Sequence, residues 1–262
     1  MVLRISFLYF SFLAWGCLAL LPVVRLQEVG QGFYRFFGFL CVGLQTLALG
    51  LLLMGGFSGG QTQASAWALG ASLFFTLCFT ISLRIRVRWF LWVCFWLAVC
   101  AGFLGLGFFP WSADPDWGFL SLHAVISSLV LGAGILAMML GHWYLVTPKL
   151  SITPLKRYAA SYILLTVLTA LELLTQYYFA VGFKPGFSTP AGTQLIRGEL
   201  FFVLFRVTWG VAAPLGMAYG IWTTVKMRST QSATGILYAS MVCTMIGEGM
   251  GLYLTLRTGI PF

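Results

Sequence analysis

Eight apolar stretches, each close to twenty residues long and separated by short polar connections, dominate this chain. They run approximately over 5–24, 36–56, 64–83, 89–109, 119–146, 158–182, 199–225 and 232–256. A bilayer hydrocarbon core about 30 Å thick needs roughly 20 apolar residues in a helix, so each stretch is long enough to cross it. With 60% apolar residues, 8% charged residues and a mean hydropathy of +0.94, the chain lies far from a water-soluble domain. The sequence therefore predicts an all-α, polytopic transmembrane helical bundle of about eight spans. Residues 1–262 form a single integral-membrane domain surrounded by lipid, with no room for a separate soluble one. The expected location is a bacterial-type inner (cytoplasmic) membrane.

Orientation follows from Lys and Arg, because short positively charged loops stay in the cytoplasm. The odd-numbered connections hold Arg25, Arg35, Arg84, Arg86, Arg88, Lys149, Lys156, Arg157, Lys226 and Arg228. The opposite side holds only Arg4, Lys184, Arg197 and Arg257. This asymmetry predicts both termini on the outer (periplasmic) side, and it assigns the formal charge of +9 to topology rather than to nucleic-acid binding. Arg4 runs against that orientation, as an N-terminal Arg before an apolar run also opens signal peptides. No A-x-A cleavage site follows it, and Trp15 is too bulky for a lipobox around Cys17, so the segment reads as the first span.

Cys17, Cys41, Cys78, Cys94, Cys100 and Cys243 all fall within the apolar stretches and form no C-x-x-C, which predicts small apolar packing residues and no iron–sulfur cluster on this chain. No Walker, G-x-S-x-G or H-E-x-x-H pattern occurs, and no metal site is expected. No internal repeat is visible, which counts against an inverted-repeat transporter.

Three ionisable residues interrupt the apolar stretches: Glu172 in LLTALELLTQYYF, Arg206 in LFFVLFRVTWGVA and Glu248 in MVCTMIGEGMGLYL. A charge at this depth costs roughly 2.5–3.5 kcal/mol on insertion scales, so each marks a functional site by default. At about 1.5 Å per residue, Glu172 lies roughly 22 Å and Glu248 about 24 Å above the cytoplasmic boundary, with Arg206 roughly 10 Å below the outer one. All three share one level in the outer half. His123 lies slightly above them, and Gln176 sits one turn beyond Glu172 on the same helix face. A structural reading has Arg206 pairing with one carboxylate while the other is protonated. A functional reading makes His123, Glu172, Arg206 and Glu248 a quinone- and proton-handling cluster with Gln176 contacting the ligand, His123 being the first proton acceptor and a glutamate the outward relay.

Haem is the competing use of histidine. His123 and His142 lie about 28 Å apart along one helix and cannot face one iron, so haem b held by two imidazoles of this chain is excluded. GHWYLV around His142 reads as an interfacial aromatic belt. Pro214 within AAPLG is placed to interrupt the seventh span. Outer connections carrying Asp114 and Asp116 between Trp111 and Trp117, and the Pro-, Gly- and Ser-rich GFKPGFSTPAGTQLIRGE, are candidate docking loops for an extracytoplasmic subunit.

Eight helices, both termini outside and polar residues buried in the outer half together resemble the NrfD/polysulfide-reductase and DMSO-reductase membrane anchors of bacterial respiratory complexes. The resemblance covers the layout of the whole chain and transfers no residue role. It implies an anchor without a cofactor of its own, which exchanges electrons between quinone (menaquinone or ubiquinone) and an extracytoplasmic iron–sulfur or cytochrome partner. Within an enzyme, such a chain is a quinone-reactive or non-catalytic subunit of an oxidoreductase complex. The alternatives are a proton-coupled secondary transporter using the same buried charges, and a structural or assembly subunit without a ligand.

Overall fold

The computed structural model describes residues 1–55, 60–84, 88–107, 109, 117–147, 150–181, 198–258 and 262. Among these the chain is all-helical. The helices are α1 (Val2–Leu20), α2 (Leu26–Met54), α3 (Gly60–Ser82), α4 (Arg88–Gly107), α5 (Trp117–Val146), α6 (Thr153–Val181), α7 (Leu200–Val207), α8 (Ala213–Lys226) and α9 (Thr230–Thr258). Joined by a π turn at Thr208–Ala212, α7 and α8 form one span, so eight helical segments are long and apolar enough to cross a membrane. Successive spans run in alternate directions. One end of the bundle therefore carries the start of α5 near His123, and the other carries its finish near His142.

Spans two and six begin earlier than the apolar pattern predicts, at Leu26 and Thr153. A short turn over Leu26–Val29 precedes Gly30, whose φ of 82° and ψ of 162° redirect the chain before α2 continues. Only glycine enters that region without steric cost. The turn is held from outside its own sequence. The Arg157 guanidinium of α6 donates to Glu28 at 2.8 Å, while Glu28 also accepts from the backbone N–H of Arg25. Tyr34 and Tyr158 both donate to the carbonyl of Leu21, closing the 3₁₀ turn that follows α1.

Spans α1 and α5 are the most enclosed, and they touch through glycine. A Cβ on Gly16 would lie 1.7 Å from the Ser128 carbonyl oxygen, and one on Gly132 would lie 2.1 Å from the Gly16 carbonyl carbon. In lipid, where apolar surface gains nothing by leaving the solvent, such close backbone packing is what holds helices together. A second knot ties the first four spans. The Trp15 indole N–H donates to Ser72 Oγ at 3.1 Å, Gln45 Nε2 donates to the same oxygen at 3.3 Å, and the Ser72 hydroxyl donates to the Ala98 carbonyl at 2.8 Å. Trp15 fits because Gly102 leaves room for its ring. Cys17 and Cys41 are buried beside backbone carbonyls as packing residues, whereas Cys100 faces outward. Large apolar side chains such as Met54, Trp67, Phe74, Trp89 and Phe201 cover the outer surface, as expected of a bundle whose solvent is lipid.

Candidate functional site

Two buried pairs of ionisable side chains form in the half of the bundle that begins α5. On α5, His123 Nδ1 lies 3.0 Å from Glu172 Oε1 of α6. Gln176, one turn along α6, donates its amide N–H to the same Oε1 at 2.8 Å. His123 is 1% exposed, Glu172 8% and Gln176 7%, so all three are shielded. Each nevertheless keeps one polar atom without a hydrogen-bond partner among the described residues: His123 Nε2, Glu172 Oε2 and Gln176 Oε1. Two acceptors and an imidazole nitrogen thus stand ready for a ligand hydroxyl, a ligand carbonyl or water, since buried polar atoms are rarely left empty-handed.

The second pair joins the seventh span to α9. Arg206 Nη1 lies 2.7 Å from Glu248 Oε1, and both residues are almost wholly buried. The charges touch, but the N–H does not point along the contact. The guanidinium nitrogens and Glu248 Oε1 therefore have no aligned hydrogen-bond partner among the described residues. Glycines make the space: a Cβ on Gly210 would lie 2.5 Å from Nη1, and one on Gly251 would lie 2.9 Å from Nε. Gly247 and Gly210 bring the two backbones together, because a Cβ on Gly247 would stand 2.1 Å from the Gly210 Cα.

The π turn follows from local sequence. Pro214 has no N–H, and its ring crowds the carbonyl four residues earlier, that of Gly210. Widening the helix at Thr208–Ala212 relieves the conflict, with the Ala213 N–H reaching back five residues to Thr208. The interruption expected at Pro214 is thus present, and it lies directly beside Arg206.

Close contacts set the relative heights. His123 faces Glu172, and a Cβ on Gly134 would meet the Tyr162 ring at 3.2 Å, which aligns α5 with α6. The same Cβ would meet Met241, and one on Gly141 would meet Thr234, which aligns α5 with α9. On these registers Glu248 stands level with Ser127, about one turn (~6 Å) deeper than His123 and Glu172. The expectation of one shared layer therefore holds to within a turn. The pairing is specific, however: Arg206 goes to Glu248, Glu172 goes to His123, and no hydrogen bond or ion pair joins the two couples among the described residues.

Charge counting gives the chemistry. With Arg206 and Glu248 mutually neutral, the other pair is neutral when it holds one proton, as imidazolium–carboxylate or as imidazole–carboxylic acid. An uncompensated charge in either pair is costly in hydrocarbon.

Tyr162, Ser240 and Thr244 are polar residues that sequence reading passes over. The Tyr162 hydroxyl lies 2.7 Å from both Ser240 Oγ and Thr244 Oγ1, in the layer below Glu248. The available signal was the four-residue spacing of Ser240, Thr244 and Glu248 along α9. His142 takes no part in the buried layer and is exposed at the other end of α5, where Trp143 packs edge-on to Phe33. Among the described residues no group of three or more His, Cys, Asp or Glu is placed to hold a metal ion. The proposed docking loops, around Asp114 and Asp116 and over 182–197, lie outside the described residues. Comparison with protein-family models and with curated proteins finds no match for this chain.

Proposed function

We propose that this chain is the membrane-integral, quinone-reactive subunit of an electron-transfer complex and that His123, Glu172 and Gln176 contact the quinone head. The observation that carries the reading is a buried His123–Glu172 pair surrounded by three polar atoms that have no hydrogen-bond partner among the described residues. Oxidation of a quinol releases two protons and two electrons. The hydroxyl protons pass singly to the imidazole or carboxylate, and the electrons leave to an extracytoplasmic iron–sulfur or cytochrome subunit. Reduction runs the same steps backward. Arg206 and Glu248 supply a fixed neutral neighbour that keeps the field at the pair constant. The Lys and Arg distribution supports placing the His123 end outside, in a bacterial-type inner membrane.

Mild purification from the native membrane, with mass spectrometry of co-purifying chains and extraction of bound quinone, tests this directly. A stoichiometric redox partner together with bound quinone is the expected result. A lone chain carrying neither refutes the reading. The π turn beside Arg206 favours a second reading, a proton-coupled transporter, because broken spans carry substrate sites in such proteins. Solute uptake that depends on Glu172 and Glu248 would select it.

A further inference from the structure

The seventh span changes neighbours at its π turn. On the His142 side of the turn, α8 packs against both α6 and α9 and buries Pro214, Ile221 and Val225. The π turn still touches both helices. On the His123 side, α7 packs against α9 and makes no comparable contact with α6 among the described residues. Arg206 to Glu248, Glu199 to Arg257 and the Phe202 ring 4.8 Å from that of Tyr253 hold α7 to α9. Arg206 alone of α7 is buried, whereas Leu200, Phe201, Leu204 and Val207 are exposed. Because α5 also touches α6 and α9, these four spans form a ring. Its wall is packed on every side at the His142 end and lacks the α6–α7 contact at the other. Gly210 meets Gly247 and Arg206 meets Gly251, which sets the Arg206 backbone level with His123 and Glu172. The unpacked stretch of wall thus lies at the height of the candidate site.

We infer that the gap between α6 and α7 is the port by which a quinone enters from the membrane, with its head at His123, Glu172 and Gln176 and its isoprenoid chain left between the two helices. The inference rests on the quinone reading of that site and adds the side from which the ligand comes. Residual exposure marks the same side. Glu172 and Gln176, both on α6, keep 8% and 7%, while His123, Arg206 and Glu248 keep 1% or less. The exposed residues of the two helices at this height, Leu168 and Leu171 on α6 and Leu204 and Val207 on α7, are hydrocarbon. They suit an apolar chain and offer no hydrogen bond to a water-soluble solute. A phospholipid headgroup would need a cation, and Arg206 and Arg257 already face carboxylates. The inner end instead presents His123 Nε2, Glu172 Oε2 and Gln176 Oε1, which answer a neutral head bearing hydroxyl or carbonyl groups. Pro214 has a part in this arrangement, because the π turn that it imposes is where the seventh span parts from α6.

Photolabelling of the unsubstituted protein in its purified complex tests the port. A decyl-ubiquinone with a diazirine at the end of its chain should label peptides of α6 and α7, and one with an azide on its ring should label peptides carrying His123, Glu172 or Gln176. Chain labelling confined to other spans, with ring labelling in place, overturns the port and leaves the quinone reading standing. No labelling by either probe overturns both. Turnover gives an independent measure. Leu204→Trp fills space that belongs to the chain and not to the head, so it should raise KM for decyl-ubiquinol about tenfold with kcat unchanged, and leave KM for a chainless quinol within about twofold. Leu47→Trp, at an exposed leucine on α2, should change neither. An unchanged KM for decyl-ubiquinol in Leu204→Trp, or an equal rise for both quinols, overturns the port.

Discussion

Removing one partner of the Arg206–Glu248 pair should be far more damaging than removing both. The charges lie 2.7 Å apart and are almost fully enclosed, so at an effective dielectric near 20 their attraction is about 6 kcal/mol. Desolvation offsets most of that in the folded bundle, and the pair's net contribution is small. Arg206→Met leaves Glu248 as an uncompensated buried carboxylate, and Glu248→Leu leaves the guanidinium equally exposed to hydrocarbon. Each should cost about 3–5 kcal/mol. The double variant removes the charges together, keeps side-chain bulk in the space made by Gly210 and Gly251, and should fall within about 1–2 kcal/mol of wild type. Reversible unfolding of the four proteins in mixed micelles measures the cycle. Single-variant effects that simply add, within about 0.5 kcal/mol, would refute the argument that these two residues neutralise one another.

Glu172→Gln keeps a hydrogen-bond partner for His123 but cannot carry a proton, so the complex should assemble while quinol turnover falls about a hundredfold or more. Normal turnover would remove the pair from the chemistry. Gly247→Ala places a Cβ 2.1 Å from the Gly210 Cα, backbone against backbone, and should destabilise the bundle by about 1–3 kcal/mol or more in the same unfolding assay. Arg157→Ala breaks an ion pair whose guanidinium is 39% exposed, so its cost should stay below about 1 kcal/mol in water-accessible surroundings. A larger loss would mean that Glu28 anchors the start of α2 more firmly than screening allows.

The eight spans were legible because each keeps an apolar run about as long as lipid requires, and nothing in a soluble domain imitates that. Their ends were not. The start of α2 among Gln27, Glu28, Gln31 and Arg35 depends on Arg157, a partner more than a hundred positions away, and local hydropathy cannot register it. In the candidate site, Glu172, Arg206 and Glu248 announced themselves as charges in hydrocarbon, and counting residues placed them within a turn of one another. Counting could not decide which carboxylate meets the arginine. That depends on helix rotation, and a span apolar on every side leaves no stripe from which to read it. Tyr162 escaped notice because a tyrosine in an apolar run looks like packing. Only the fold brings its hydroxyl to Ser240 and Thr244.

The π turn has a consequence for rotational phase. It contains one residue more than an α-helical route between the same ends would need. Deleting one residue from Thr208–Ala212 would let a continuous α-helix join the same ends, so the flanking helices would keep their rotational phase and Arg206 would still face Glu248, at the cost of restoring the crowding at Pro214. A deletion in the regular part of α7 or α8 would instead turn every side chain on one side of it by about 100° relative to the other. The wide turn is therefore the one place in this span that takes up a change of length without turning the arginine from its partner.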